Sequence, residues 1–357
     1  MYRMVQKYMG LLKHSQYKRV EVIEMKDRVT IIAEAGINHN GSLELAKELA
    51  RKAKEAGADY VKFQTYITEN LVTYNAKKAE YQIENTNQDD SQFAMLKKLE
   101  LTYRDFEEIK LYCESIGIKF LSTAFDFDSI DFLKEIGIDF WKIPSGEITN
   151  RPYLEKIAKT GMPIVLSTGM SNLQEIRDAV NILIQGGSTD ISILHCTTQY
   201  PTAITECNLN VLETLKKEFN LRVGYSDHTE GIFASVIAVA RGARIIEKHF
   251  TLDRSMDGPD HKASLEPSEL KEMVDKIREV EILLGCYDKN PTESEKKNMS
   301  VARKSIVAKC DINRGEIFSE KNISVKRPGT GINPMQWHEV IGNKAKRRFF
   351  KDEMIEL

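Results

Sequence analysis

Cysteine is scarce in this chain, opposite charges nearly cancel, and no long apolar run is present. Cys113, Cys196, Cys207, Cys286 and Cys310 are odd in number, scattered and without a C-x-x-C pair, so neither a disulfide framework nor a zinc ribbon is indicated. No stretch approaches the ~18 apolar residues of a membrane span. The N-terminal segment lacks the long apolar run and small-residue cleavage site of a signal peptide. With 51 Lys+Arg against 53 Asp+Glu, the formal charge is −2 at pH 7. That balance removes a global pull toward nucleic acid or anionic membrane and leaves room for a local anion site. A cytoplasmic enzyme is the expectation these absences leave.

The apolar share, 41% of 357 residues, is ample for a buried core. From Thr30 onward short β-rich runs alternate with amphipathic helical stretches. The runs are TIIAEAG (30–36), YVKFQ (60–64), FLSTAF (120–125), FWKIPSG (140–146), PIVLSTG (163–169), SILHCTT (192–198), VGYSD (223–227) and IIEKHFT (245–251). Helical segments such as LELAKELARKAKEAG (43–57) close on a glycine, as helix C-caps do. Eight such units predict an α/β fold, a (β/α)8 TIM barrel over residues 29–285. A doubly wound sheet would more often offer six strands and a G-x-G-x-x-G after the first, and that fingerprint is missing.

Three stretches depart from the rhythm. Residues 1–28 are basic with interleaved apolar side chains and read as an N-terminal extension, with a lysine-rich helix, a membrane-surface anchor and a disordered tail all open; the plainest reading has Met25 as the natural start and no catalytic role for the segment. The polar insertion 65–103, around ENTNQDDSQ, would lie at the catalytic face as a lid or substrate contact, or be a surface loop. Residues 286–299 read as a linker, and 300–357 as a small domain of 12 Lys+Arg against 7 Asp+Glu, a charge of +5. So small a unit folds alone only marginally, and it is expected to dock on its own barrel or on a partner subunit.

In a barrel, the side chains at the C-terminal ends of the strands build the active site. Here they include Glu34, Lys62, Gln64, Thr123, Lys142, Ser145, Glu147, Ser167, Ser226, Asp227, His228, Glu247, Lys248 and His249. Strand alternation turns about half of such residues away from the interior. His228 and His249 close consecutive strands, and two neutral imidazoles at neighbouring ends suit a divalent first-row metal with an open coordination sphere. Lys62 and Lys142, each between apolar neighbours, suit either a Schiff base or the neutralisation of a bound carboxylate or phosphate. The hydroxyls around them favour the second role. Glu34 and Glu147 are candidates for acid–base work or for binding substrate hydroxyls. His195, mid-strand, reads as structural.

These motifs resemble a known family. AEAGINHNG (33–41), VKFQT (61–65), STAFD (122–126), WKIPSGEITN (141–150), LSTGM (166–170), HCTTQYPT (195–202), GYSDHT (224–229), EKHFTLD (247–253) and GPDHKAS (258–264) are similar to those of the sialic acid synthases. ARKSIVAK (302–309) and VKRPGTGI (325–332) resemble the family's C-terminal antifreeze-like (SAF) domain. The resemblance implies condensation of phosphoenolpyruvate with N-acetylmannosamine and water to give N-acetylneuraminate and phosphate by C–O cleavage. A sister activity uses a diacetamido-trideoxy sugar to make N,N'-diacetyllegionaminate.

Carried over residue by residue, the resemblance makes His228 and His249 ligands of a divalent metal, Mn²⁺ ahead of Mg²⁺ or Co²⁺. Lys62 and Thr123 then contact the carboxylate of phosphoenolpyruvate, and Lys142, Ser145, Ser167 and Ser226 its phosphate. Glu34, Glu147, Tyr200 and Asp260 surround the amino sugar and a metal-bound water. Asn87 belongs to a closing loop, and Arg327 reaches the sugar from the partner chain of a domain-swapped homodimer. Thr198 departs from the family pattern, since some members have Asn there. No nucleic acid or membrane partner is implied.

Overall fold

The computed structural model describes residues 28–86 and 90–357. The N-terminal extension, Arg28 apart, and Asn87 therefore lie outside the described residues. The chain forms two compact units that separate between Gly285 and Cys286.

The first unit carries eight strands: β1 Thr30–Gly36, β2 Tyr60–Thr65, β3 Lys119–Ala124, β4 Trp141–Ile143, β5 Ile164–Ser167, β6 Ile191–His195, β7 Arg222–Asp227 and β8 Ile245–His249. They pair in parallel in the order β3-β2-β1-β8-β7-β6-β5-β4, and the end strands β3 and β4 lie side by side. This is the expected TIM barrel. The strands are buried along almost their whole length, which is why they read as near-continuous apolar runs broken only by the site residues. Between strands, helices bury one stripe each. Helix Leu43–Ala56 starts on Ser42, whose hydroxyl accepts from Leu45 N, and sinks Ala46, Leu49, Ala50 and Ala53 against the sheet. Helix Pro267–Leu284 ties the first strand down: Arg278 donates to Val29 O at 2.8 Å and pairs with Asp59 at 3.0 Å.

The insertion folds into three short helices, Thr68–Leu71, Glu80–Thr86 and Gln92–Leu99. It builds a small core of its own from Tyr66, Met95, Leu96 and Leu99 with Ile37, separate from the barrel core.

The second unit pairs β9 Ser305–Ala308 with β10 Ile323–Lys326 in antiparallel register, around Ile306, Ile312, Phe318, Val340, Phe349 and Ile355. The segment expected as a linker is partly structured. Helix Glu293–Ala302 occupies its second half, started by a Thr292–Glu295 capping box. Among the described residues no helix is long and apolar enough to cross a membrane.

Candidate active site

The register of the ring gathers the chemistry. Glu34 pairs with His249 across β1 and β8, and with Lys62 across β1 and β2, so three ionisable or ligating side chains share one level of the barrel. Lys62 Nζ lies 2.6 Å from Glu34 Oε2 and 3.7 Å from Glu247 Oε2, and donates to Thr123 Oγ1 at 3.0 Å. Lys142 Nζ lies 3.3 Å from Glu247 Oε1, which also accepts from Ser226 Oγ at 2.8 Å. All of these side chains are buried. Two ammonium groups and two carboxylates thus neutralise one another at the floor of a cavity of about 310 Å³.

The environment sets the charge states. Burial alone would raise Glu247, but the nearby Lys142 and Lys62 ammonium groups hold it at about 2. Burial alone would depress Lys62, yet Glu247 and Glu34 keep it above the usual lysine value. Glu34 is raised, by burial first and then by the like charge of Glu247, against the pull of Lys62. Asp260, also buried on the cavity wall, is raised to about 7 by burial and by Glu34.

A hydroxyl cluster lies beside the lysines. Ser145, Ser167, Thr198 and Ser226 line the cavity, and Ser167 Oγ is buried without a hydrogen-bond partner. Gly169 makes room for them. It holds φ +44°, and a Cβ there would come within 2.4 Å of Ser145 Cβ and 2.8 Å of Thr198 Oγ1. Hydroxyls beside ammonium groups, Ser167 Oγ among them without a partner, form a receptor for a phosphorylated or carboxylated ligand.

The histidines converge as expected. Their rings lie 5.5 Å apart, and Tyr200 packs against His228 at 4.2 Å with the rings tilted and meets His249 edge-on at 5.5 Å. His228 Nδ1 faces Thr197 O at 2.6 Å, so that nitrogen carries the proton and Nε2 keeps its lone pair. Burial holds His228 down to about 4, and His249 well below its ordinary value, so both imidazoles are neutral at neutral pH. His249 Nδ1 is buried without a partner. This pair fits a divalent metal. Among the described residues no group of three or more His, Cys, Asp or Glu side chains is arranged to hold one, so the remaining positions would fall to water or substrate oxygens.

Of the residues singled out from sequence, Glu34, Lys62, Thr123, Lys142, Ser145, Ser167, Tyr200, Ser226, His228, His249 and Asp260 all line this one cavity. Glu147 does not. Pro144 ends β4, the chain turns through a short helix at Ser145–Glu147, and the Glu147 carboxylate accepts from Asn150 Nδ2 at 2.6 Å. Arg327 belongs to the second unit, where its Nε donates to Ala302 O at 3.0 Å. His195 is structural, with Nε2 at 2.7 Å from Cys207 O. Asp227 and Lys248 point away from the cavity and pair at 3.2 Å, fully buried. Sequence reasoning named Glu247 and Gln64 as strand-end residues without giving them a role. It missed Gly169, and Tyr81 of the insertion, whose ring packs tilted against Tyr200 at 5.1 Å. Glu247 had a legible signal: it stands two residues before His249, on the same side of the strand.

The chain is similar to proteins already known. The NeuB family model matches residues 49–289, and the SAF domain model matches residues 303–356. The N,N'-diacetyllegionaminic acid synthase of Campylobacter jejuni is 52% identical over 330 residues, 92% of this chain and 99% of that one. The enzyme of the same name from Legionella pneumophila is 46% identical, covering 88% of this chain and 89% of its own. Among solved structures, an N-acetylneuraminic acid synthetase from Leptospira borgpetersenii superposes with a TM-score of 0.68 at 35% identity, covering 76% of this chain and 90% of that one.

Proposed function

The chain belongs to the NeuB family and is a nonulosonic acid synthase, and from that premise we propose that it makes N,N'-diacetyllegionaminate from phosphoenolpyruvate, water and a diacetamido-trideoxy sugar. What carries the choice of acceptor is the greater similarity to two synthases of that name than to the N-acetylneuraminic acid synthetase. N-acetylmannosamine, the acceptor expected first from the motifs, becomes the second reading.

The pocket supports the reaction through its own residues. In this reading Lys62 and Thr123 take the carboxylate of phosphoenolpyruvate, and Lys142 with Ser145, Ser167 and Ser226 its phosphate, all of them lining the one cavity. The enol carbon forms a bond to the aldehyde carbon of the open-chain sugar. Water adds at the cation-like C2, and the tetrahedral intermediate releases phosphate by C–O cleavage. Lysines and hydroxyls fixed before the substrate arrives stabilise the charge that moves in these steps. In this reading Glu34 and Asp260, whose carboxyls burial raises, exchange the protons of the aldehyde oxygen and the water. His228 and His249 would hold a divalent metal, Mn²⁺ first, whose chemistry is Lewis-acid polarisation of the aldehyde oxygen. The proposal includes a cytoplasmic homodimer in which Arg327 contributes to acceptor binding.

Phosphate release measured with phosphoenolpyruvate, Mn²⁺ and each sugar tests the reading. The diacetamido-trideoxy sugar is expected to turn over with the higher kcat/KM. A clear preference for N-acetylmannosamine would reverse the assignment.

A further inference from the structure

One wall of the cavity is unlike the rest. Ile37, Tyr66, Leu71, Val72, Leu96 and Phe125 line it, an apolar surface in a cavity otherwise floored by charge. These side chains belong to the small core built by the insertion, not to the barrel core. Hydrogen bonds fix that wall. Tyr66 Oη donates to Leu96 O at 3.1 Å, and Ile67 N to Asp126 Oδ2 at 2.8 Å. Thr68 N and Oγ1 both donate to Glu100 Oε2, at 2.9 and 2.6 Å. These bonds anchor the short helix that ends at Leu71. Leu71, Val72 and Phe125 remain only partly buried, so they have apolar surface to offer a ligand.

We infer that this wall receives a deoxygenated terminal carbon, the C6 methyl group of the acceptor sugar, and selects against a hydroxyl at that position. The inference rests on the proposed reaction, in which the aldehyde end of the acceptor meets His228 and His249. Those residues stand at β7 and β8, whereas Tyr66, Leu71, Val72 and Leu96 follow β2, two places from β8 and three from β7, and Phe125 follows β3, four places from β7. The histidines and the wall line the same cavity two to four strands apart, so an open-chain acceptor held by its aldehyde has its far end within reach of the wall. The carboxylates and amide gathered around Gly36 are available to the hydroxyls between: a Cβ there would lie 3.2 Å from Gln64, 3.3 Å from Glu34 and 3.8 Å from Asp260. A methyl group against Leu71 and Val72 leaves water favourably. A hydroxyl there would be dehydrated without a partner.

The test uses two pairs of acceptors that differ only by the oxygen at C6. One pair is the diacetamido-trideoxy sugar and its 6-hydroxy counterpart; the other is 6-deoxy-N-acetylmannosamine and N-acetylmannosamine. The readout is the ratio of kcat/KM within each pair for wild type, Val72→Thr and Leu71→Asn. This ratio does not depend on the fraction of folded enzyme, and Val72→Thr nearly preserves volume. Wild type is expected to favour the deoxy member by about tenfold or more, and each variant to lower that ratio by roughly tenfold. A wild-type ratio near one, or a ratio unmoved in both variants, overturns the inference and leaves the proposed reaction standing. Turnover of the second pair but not the first overturns the proposed acceptor, while the ratio still tests the wall. No turnover of either pair overturns both.

Discussion

Glu247 and Lys142 form an ion pair across the barrel: Oε1 on β8 lies 3.3 Å from Nζ on β4, four strands away in the ring. The carboxylate holds two lysines in place before any anion arrives. Glu247→Gln leaves Lys62 and Lys142 short of one negative charge in a buried setting. The variant is expected to lose about 3–5 kcal/mol of stability. Phosphoenolpyruvate should raise its Tm by more than it raises that of wild type. Thermal unfolding with and without phosphoenolpyruvate measures both effects. Equal stability and equal shifts would show that Glu247 is no counter-ion.

Asp260 predicts a pH dependence. Its carboxyl is raised to about 7, above the ordinary aspartate value of 3.8, so the folded chain binds that proton more tightly than the unfolded chain. The stability this contributes is fully present below the unfolded value and is lost as pH rises through about 7. Asp260→Asn removes the titration. Stability of the variant relative to wild type should therefore rise between pH 4 and 8, by up to about 4 kcal/mol. Urea unfolding of both proteins at several pH values reads it, and a flat difference would contradict the burial argument.

His228 and His249 predict a metal requirement. His249→Ala and His228→Ala are each expected to abolish Mn²⁺-stimulated turnover and to weaken Mn²⁺ binding by at least about tenfold in titration calorimetry. Full metal-dependent activity in either variant would remove that residue from the site.

Gly169 predicts a steric effect on phosphoenolpyruvate. A Cβ within 2.4 Å of Ser145 Cβ forces the hydroxyl cluster apart, and φ +44° strains any other residue. Gly169→Ala is expected to cost about 1–3 kcal/mol of stability. Its KM for phosphoenolpyruvate should rise more than its KM for the sugar. Steady-state kinetics with each substrate varied would expose the opposite pattern.

The barrel and most of the pocket were legible because parallel strands buried on both faces leave few reasons for a polar residue within them. Lys62, Lys142, Ser167 and Ser226 stand out for that reason. Other features depend on what lies across the ring. A carboxylate at an anion site reads as repulsive until its two lysines are seen, and so Glu247 had no assigned role. Glu147 is extended-chain spacing away from Ser145, but the turn after Pro144 rotates it out. Helix Glu293–Ala302 buries none of its residues, so no apolar stripe betrayed it. The insertion has helices of four, seven and eight residues, too short for a periodicity to emerge. Its contact of Tyr81 with Tyr200 joins distant segments that no local pattern connects.

The pairing of β1 with β8 bears on how the molecule comes together. It joins Thr30 to Ile245, a separation of 245 − 30 = 215 residues. Contacts this remote form late and slowly, because a long loop must close before they reward the chain. Glu34 enters with the first strand, and Glu247 and His249 with the last. During synthesis Lys142 thus waits for its carboxylate until more than a hundred further residues have been made, since Glu247 follows it by 247 − 142 = 105 positions. The strand that closes the ring is also the one that makes its interior electrically neutral.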